Sequence, residues 1–528
     1  MRAVEQGDAA DGLLQVVTAV RKAAVAVGAR AARAAWLPAL PSTLRVDQLP
    51  AGSVGLVCPV GLRDLPELQE QAVLSVDLAA PEHWAFVGTS GSGRSTALAT
   101  LAASTAHRLD ATQLHVYAVS GGALCDLAAL PHCGAHVDVD DLPRLERLVS
   151  RLSEEVARRR QRPDPARPHI LLLVDDWDLL SDRHESLDHS LVANRLVALL
   201  REGAGLGLSA AIAGDRTLLV GRVATAVSQR VLLRLADNTD AALVGLRASS
   251  LPTTVAAGRG VLADGTEVQL ATAGGLRPKP LEAPAGGLPF RVEALPTLVH
   301  SSDLPPSSND LLVVGIGGDD AAPVGLSESA DGRRWLVTGP SASGVSNALA
   351  LIAQHLVAQG RAVAVVCDRP GPLDSLRGDP RVVAWCSATD AGALALAKQA
   401  HRDLAVVVDG ADELTDTPVD VVLREAARLV DRDAGLVVVG ANSAALATQY
   451  RGVAVDVARH RVGLLLRPAS ITDADLFGLR LRADRTAPVG RGHLVRRGGV
   501  VPVQTAWVGT TEDTAATGSS PGDRTRAA

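Results

Sequence analysis

The chain has 528 residues, 47% of them hydrophobic and 21% charged, a length for two or three domains and a balance suited to packed cores. A formal net charge of −6 gives no overall basic footprint for nucleic acid, and an aromatic content of 2% leaves few stacking platforms for single strands. Five scattered cysteines form no CxxC pair, no apolar run is long enough to cross a bilayer, and the N-terminus lacks a signal-peptide layout. These features predict reduced thiols and a cytoplasmic chain without a membrane span, at most peripheral to the inner membrane face through partners.

In chain order, residues 1–50 read as a helix followed by a Pro-rich linker, "WLPALPSTLRVDQLP" (Trp36 to Pro50). Residues 51–275 read as a first domain, with "HWAFV", "LHVYAV", "ILLLVD" and "SAAIAG" as continuous apolar strands. Helices are predicted between them at "STALATLAASTAHRL" and "LPRLERLVSRLSEEVARRR". Alternation of this kind predicts an α/β fold, a mostly parallel sheet with helices on both faces. Residues 276–306 are a Pro-rich linker, residues 307–508 a second domain, and residues 509–528 a low-complexity tail predicted to be disordered.

The second domain repeats the first. "HWAFVGTSGSGRSTAL" is echoed by "RWLVTGPSASGVSNAL", and "HILLLVDDWDLL" by "DLAVVVDGADEL". "WLPALPSTLRVDQLP" returns as "FRVEALPTLVHSSDLP", "GLSAAIAGD" as "GLVVVGAN", and "GRGVLADGTEVQLA" as "GRGHLVRRGGVVPVQTA". Shared order makes the chain two copies of one unit.

The stretch "GTSGSGRST" (Gly88, Thr89, Ser90, Gly91, Ser92, Gly93, Arg94, Ser95, Thr96) follows an apolar strand and opens a helix. Its spacing is that of a phosphate-binding loop, G-x-x-x-x-G-K-[ST], with Arg94 at the lysine position. Glycines let successive N–H groups converge on an anion at a helix N-terminus. Arg94 would supply charge near the β- and γ-phosphates of ATP, and Ser95 would place its hydroxyl on Mg²⁺. Only Lys22, Lys279 and Lys398 are lysines in the whole chain, so arginine at position 94 is an ambiguous substitution rather than a sign of inactivity. Asp175, ending a buried strand, is the second expected metal ligand. Asp176, next to it, is the candidate to orient an attacking water, one methylene shorter than a glutamate in that place.

The second loop, "GPSASGVSN", keeps Gly339, Gly344 and Ser346 but has Val345 at the cation position, and Pro340 removes one N–H. Asp409 retains the acidic strand end, with Asp412 and Glu413 after it. This site is expected to have kept its fold and lost hydrolysis. In "LPHCGAHVDVD", His132, Cys133, His136 and Asp138 lie close together, but no second ligand cluster accompanies them, so the turn reads as structural. Arg158, Arg159, Arg160 and Arg162 end a helix, where cations complement the dipole.

These motifs resemble the FtsK/SpoIIIE-type ATPases, and most closely the later ATPase domains of type VII secretion EccC proteins. "LHVYAVSGGALCDLAALPHCGAHV" carries the likeness through Tyr117, Gly121, Gly122, Leu130, Pro131, His132 and Gly134; the aspartate usual before the glycines is replaced by Val119 and Ser120. "SAAIAGDR" resembles the strand that ends in a sensor arginine, here Arg216. The resemblance implies two tandem RecA-like P-loop NTPase domains and ATP bound between subunits of a ring. It also implies a trans-acting arginine, for which Arg216, Arg230 and Arg234 are candidates. Expected partners are secreted protein substrates and either further copies or an upstream membrane-anchored ATPase. ATP hydrolysis is expected, if anywhere, at the first site. The alternatives are a DNA translocase and a nucleotide-binding scaffold without turnover.

Overall fold

Continuous Val, Leu, Ile and Ala runs in this chain become strands covered on both faces. The computed structural model describes residues 6–29, 37–50, 55–164, 167–188, 191–252, 256–280, 287–308, 310–484 and 486–509. The chain divides into two units, Met1–Phe290 and Arg291–Ala528, each with its own ten-stranded sheet.

In the first unit the strands are β1 (Val57–Leu65), β2 (Glu70–Asp77), β3 (Trp84–Val87), β4 (Leu114–Val119), β5 (Cys133–Val137), β6 (His169–Val174), β7 (Leu208–Gly214), β8 (Gln229–Leu232), β9 (Arg259–Leu262) and β10 (Glu267–Leu270). Their order is β2-β1-β10-β9-β8-β3-β7-β6-β4-β5. From β8 to β5 all neighbours run parallel, and from β8 back to β2 they run antiparallel. Every residue of β3, β4, β6 and β7 is buried.

The second unit has β11 (Leu311–Gly317), β12 (Ala322–Ser327), β13 (Arg334–Gly339), β14 (Val363–Val366), β15 (Val382–Cys386), β16 (Ala405–Val408), β17 (Leu436–Asn442), β18 (Gly463–Leu466), β19 (Arg491–Arg496) and β20 (Gly499–Thr505). Their order, β12-β11-β20-β19-β18-β13-β17-β16-β14-β15, matches the first unit strand for strand. The period of two distributes successive side chains to opposite faces. Trp335, Val337, Val363 and Val365 pack with Leu349 and Ile352 of the helix Val345–Ala358. Leu336, Ala364 and Val366 pack with Leu394 of the helix Ala391–Ala400 and Leu423 of the helix Pro418–Asp433. Helices therefore cover both faces of that sheet.

The predicted helices lie at Arg94–Arg108 and Leu142–Gln161, within two residues of their expected bounds. The N-terminal segment contains a helix, Gln6–Ala26, with Leu13, Leu14 and Val20 exposed. Residues 510–528 of the expected tail, and Trp36, lie outside the described residues.

The repeated "GRG" and "VQ" motifs form one device in each unit. Arg259, buried at the start of β9, donates to Gln269 Oε1 at 2.9 Å and Glu267 Oε1 at 2.5 Å. Its Nη2 reaches the carbonyls of Leu40 and Pro41 at 2.6 and 3.1 Å, fastening the preceding Pro-rich segment to the sheet. Arg491 repeats this on Gln504 at 3.0 Å and on the carbonyls of Leu295 and Pro296 at 3.1 and 2.7 Å. Each guanidinium satisfies carbonyls that would otherwise be half-buried and unpaired. Replacing Arg259 or Arg491 by alanine is expected to lower stability by about 2–3 kcal/mol, read by urea unfolding; a change near zero would show that water replaces the fork.

Candidate nucleotide-binding site

Each loop turns because of one left-handed residue just before its helix. Gly93 has φ +104° and Gly344 has φ +104°, a region that L side chains rarely enter. A Cβ on Gly93 would lie 2.9 Å from Gly258 N. The helices begin at once, at Arg94 and Val345, so their first-turn N–H groups face the loops, where an anion is favoured.

The first loop is braced from several sides. Gly258 N donates to Ser92 O at 2.8 Å, and Gly88 N to Gly214 O at 3.0 Å. Arg234, beyond β8, donates from Nη2 to Ser90 O at 2.8 Å and from Nε to Thr89 Oγ1 at 3.1 Å. The hydroxyl of Ser92 is buried with no hydrogen-bond partner, as is that of Ser343 in the second loop.

Asp175 follows β6 and is fully buried. Its N–H donates to Val119 O at 2.8 Å, and its Oδ1 accepts from Asp176 N at 2.9 Å. Its Oδ2 is buried with no hydrogen-bond partner of normal geometry. Burial pushes the Asp175 carboxyl above the usual carboxylate range, while the nearby Ser95 hydroxyl draws it back. An unused carboxylate oxygen beside a hydroxyl is the hard, oxygen-only donor set that Mg²⁺ prefers, so these residues fit that ion. Asp176 sits at φ +52°, an uncommon setting for a residue with a side chain. Arg94 approaches Asp176 Oδ1 at 3.8 Å and Asp178 Oδ1 at 3.6 Å, with 12% of its side chain exposed. Burial also raises the Asp178 carboxyl, partly offset by Arg94.

The second site keeps the frame without the cation. Asp409 follows β16, its N–H donating to Val366 O at 2.9 Å. Burial raises its carboxyl and the Ser346 hydroxyl lowers it, as for the pair in the first unit. Val345 lies against Gly440: a Cβ there would stand 3.1 Å from Val345 Cγ1. Ala342 holds φ +60° where the first loop has Gly91. Asn442 Nδ2 donates to Ser341 Oγ at 3.2 Å.

The three candidate trans arginines are used differently. Arg230 donates to the carbonyls of Ala224 and Val227, and Arg234 braces the loop. Arg216 is exposed, with Asp240 at 3.9 Å. In the Tyr117–Gly134 segment, Ser120 Oγ accepts from the N–H groups of Gly122 and Leu124 and meets His136 Nε2 at 2.8 Å. That hydroxyl caps the turn. His132 Nε2 meets Leu109 O at 2.7 Å, and Arg159 donates to Glu155 and to the carbonyls of Leu206, Gly207 and Pro168. Sequence reasoning gave no role to Asp178, to the loop-bracing use of Arg234, or to Gly258. The repeated "GRG" was the one available signal for the last.

Residues 60–164 match the FtsK/SpoIIIE family. The chain is 30% identical over 269 residues to the ESX-4 secretion system protein EccC4 of Mycobacterium tuberculosis, covering 46% of this chain and 21% of that protein. The chain thus spans about a fifth of that relative's length. Among solved structures, EssC (ATPases 2 and 3) from Geobacillus thermodenitrificans aligns with a TM-score of 0.64 at 20% identity, covering 90% of this chain and 100% of that one. Thermomonospora curvata EccC (ATPases 2 and 3), in complex with a signal sequence peptide, aligns with a TM-score of 0.57 at 21% identity, covering 90% and 97%. These structures share the fold, two tandem α/β domains each built on a mixed, partly parallel sheet.

The loop geometry yields a graded expectation. Gly93→Ala meets both torsional strain and the backbone of Gly258, whereas Gly122→Ala, at φ +115° with open space around it, meets strain alone. Chemical denaturation is expected to give a loss of about 1 kcal/mol for Gly122→Ala and at least about twice that for Gly93→Ala. Equal losses would contradict the close packing of Gly258 on the loop.

Proposed function

We propose that this chain is the nucleotide-binding, EccC-like part of a type VII secretion motor, with ATP and Mg²⁺ held at Gly88–Thr96. The observation that carries this reading is the buried Asp175 carboxylate beside the Ser95 hydroxyl, its Oδ2 without a hydrogen-bond partner of normal geometry, at the mouth of a loop that ends in the left-handed Gly93. In this role the loop N–H groups hold the phosphates, Arg94 contacts the β- and γ-phosphates, and Ser95 with Asp175 holds the metal. Bound Mg²⁺ supplies charge neutralisation on the β- and γ-oxygens. Asp176 orients the attacking water, and Arg216, as the exposed candidate, reaches a neighbouring copy. The second site, with Val345 in place of a cation, does not hydrolyse; Gly339, Gly344, Ser346 and Asp409 leave it at most a binding site.

The likeness to EccC and EssC proteins supports secreted proteins as the substrates and a larger assembly as the setting. The structure of the Thermomonospora relative with a signal sequence peptide supports a peptide ligand of that kind here. No helix among the described residues is long and apolar enough to cross a membrane, which suits a module acting beside a membrane-anchored partner.

Titration with a fluorescent ATP analogue and Mg²⁺ tests the site. Arg94→Ala is expected to weaken binding by about tenfold or more, the scale of one charge-assisted contact. Unchanged affinity would remove Arg94 from the site. In steady-state hydrolysis, stimulation by a signal peptide is expected. Stimulation by duplex DNA instead would favour a DNA translocase, and bound nucleotide with no turnover would leave a scaffold.

A further inference from the structure

Arg94 in this structure faces carboxylates that ATP would have to displace. Its Nη1 lies 3.6 Å from Asp178 Oδ1 and its Nη2 3.8 Å from Asp176 Oδ1. Asp178 Oδ1 is buried with no hydrogen-bond partner, so the guanidinium is the cation that offsets its charge. The planar guanidinium addresses the two carboxylates through separate nitrogens. We propose that Asp178 is a positioning residue that, with Asp176, holds Arg94 in a resting pose and thereby sets the affinity of the first site for nucleoside triphosphate. This rests on the nucleotide reading above and adds its regulation.

The second unit supports the idea as an internal comparison. The strand end Asp175-Asp176-Trp177-Asp178 corresponds to Asp409-Gly410-Ala411-Asp412. Where the cation is lost to Val345, the residue matching Asp176 is Gly410, in the same left-handed region at φ +72°. Asp412, matching Asp178, turns to another partner and accepts from Asn442 N at 3.0 Å. Cation and facing carboxylate have thus gone together, and the remaining acid is satisfied by backbone. In the first unit Asp176 keeps its side chain at φ +52°, where glycine costs less. That setting is explained if the carboxylate is needed opposite Arg94.

The physical consequence is competition. A triphosphate entering the loop needs Arg94 to turn from the two carboxylates to the phosphates, and every contribution to the resting pose subtracts from binding. Neutralising Asp178 weakens that pose. It also reduces the general negative potential at the site, an effect that does not require Arg94, and a double-mutant cycle separates the two.

The test is titration of the full chain with a fluorescent ATP analogue and Mg²⁺, in wild type, Asp178→Asn, Arg94→Ala and the double variant, with Asp178→Glu as the charge-conserving control. Asp178→Asn is expected to tighten binding by about fivefold and to give a clearly smaller gain in the Arg94→Ala background, whereas Asp178→Glu is expected to bind like wild type. Binding by Asp178→Asn alone, with wild type silent, would also support the latch. An equal gain with and without Arg94, or no gain, would overturn it. Failure of all five proteins to bind, with unfolding midpoints intact, would overturn the nucleotide reading on which it rests.

Discussion

Both sites depend on one backbone constraint: the residue immediately before the helix must be left-handed, so that a buried strand can reverse into a helix within six residues. Gly93 and Gly344 meet it with the same φ, and a side chain there would collide or strain. The rest of the first loop's geometry follows from that turn. The helix N-terminus points into the loop, Ser95 falls beside Asp175, and the cation position falls opposite the acidic strand end.

The loop is held in place by the half of the sheet that carries no nucleotide motif. Gly258 donates to Ser92, and the next residue, Arg259, fastens the Leu40–Pro41 carbonyls. The second unit repeats the arrangement through Gly490, which donates to Ser343 at 3.0 Å, and Arg491. The Pro-rich segment, the antiparallel half of the sheet and the glycine-rich loop are mechanically continuous within each unit. This explains why "GRG" and the Leu-Pro segments recur together in the repeat.

The central strands were legible because burial on both faces writes itself as unbroken apolar runs: β4 matches "LHVYAV" residue for residue. The helices were legible from their Ala and Leu content and the turn residues before them. The hairpins β1–β2 and β9–β10 were not, because half-exposed strands carrying Gly61, Arg63, Asp64 or Glu267 have no continuous apolar signature. Motif spacing placed the loop glycines at the turns before the helices and Asp175 and Asp409 at strand ends, where the fold has them. The roles of Arg234 and Asp178 were not, since a guanidinium and a carboxylate reveal their partners only when the chain has folded. Sequence alone left three arginines equal; the fold commits Arg230 and Arg234 to carbonyls and the loop, and leaves Arg216 exposed.

The two units differ where chemistry would differ and agree where the fold requires agreement. Left-handed turns, the strand-end acids Asp175 (buried) and Asp409 (half-buried) and the serines beside them persist, whereas the cation and one carboxylate are present in one unit and absent from the other. The measurement that bears most directly on this account is a structure of the chain with Mg²⁺ and a non-hydrolysable ATP analogue. The account predicts a triphosphate seated on Gly88–Thr96, metal at Ser95 and Asp175, and Arg94 turned from Asp176 and Asp178 to the phosphates. An empty first loop at saturating analogue, or phosphates bound with Arg94 still on the two aspartates, would contradict it.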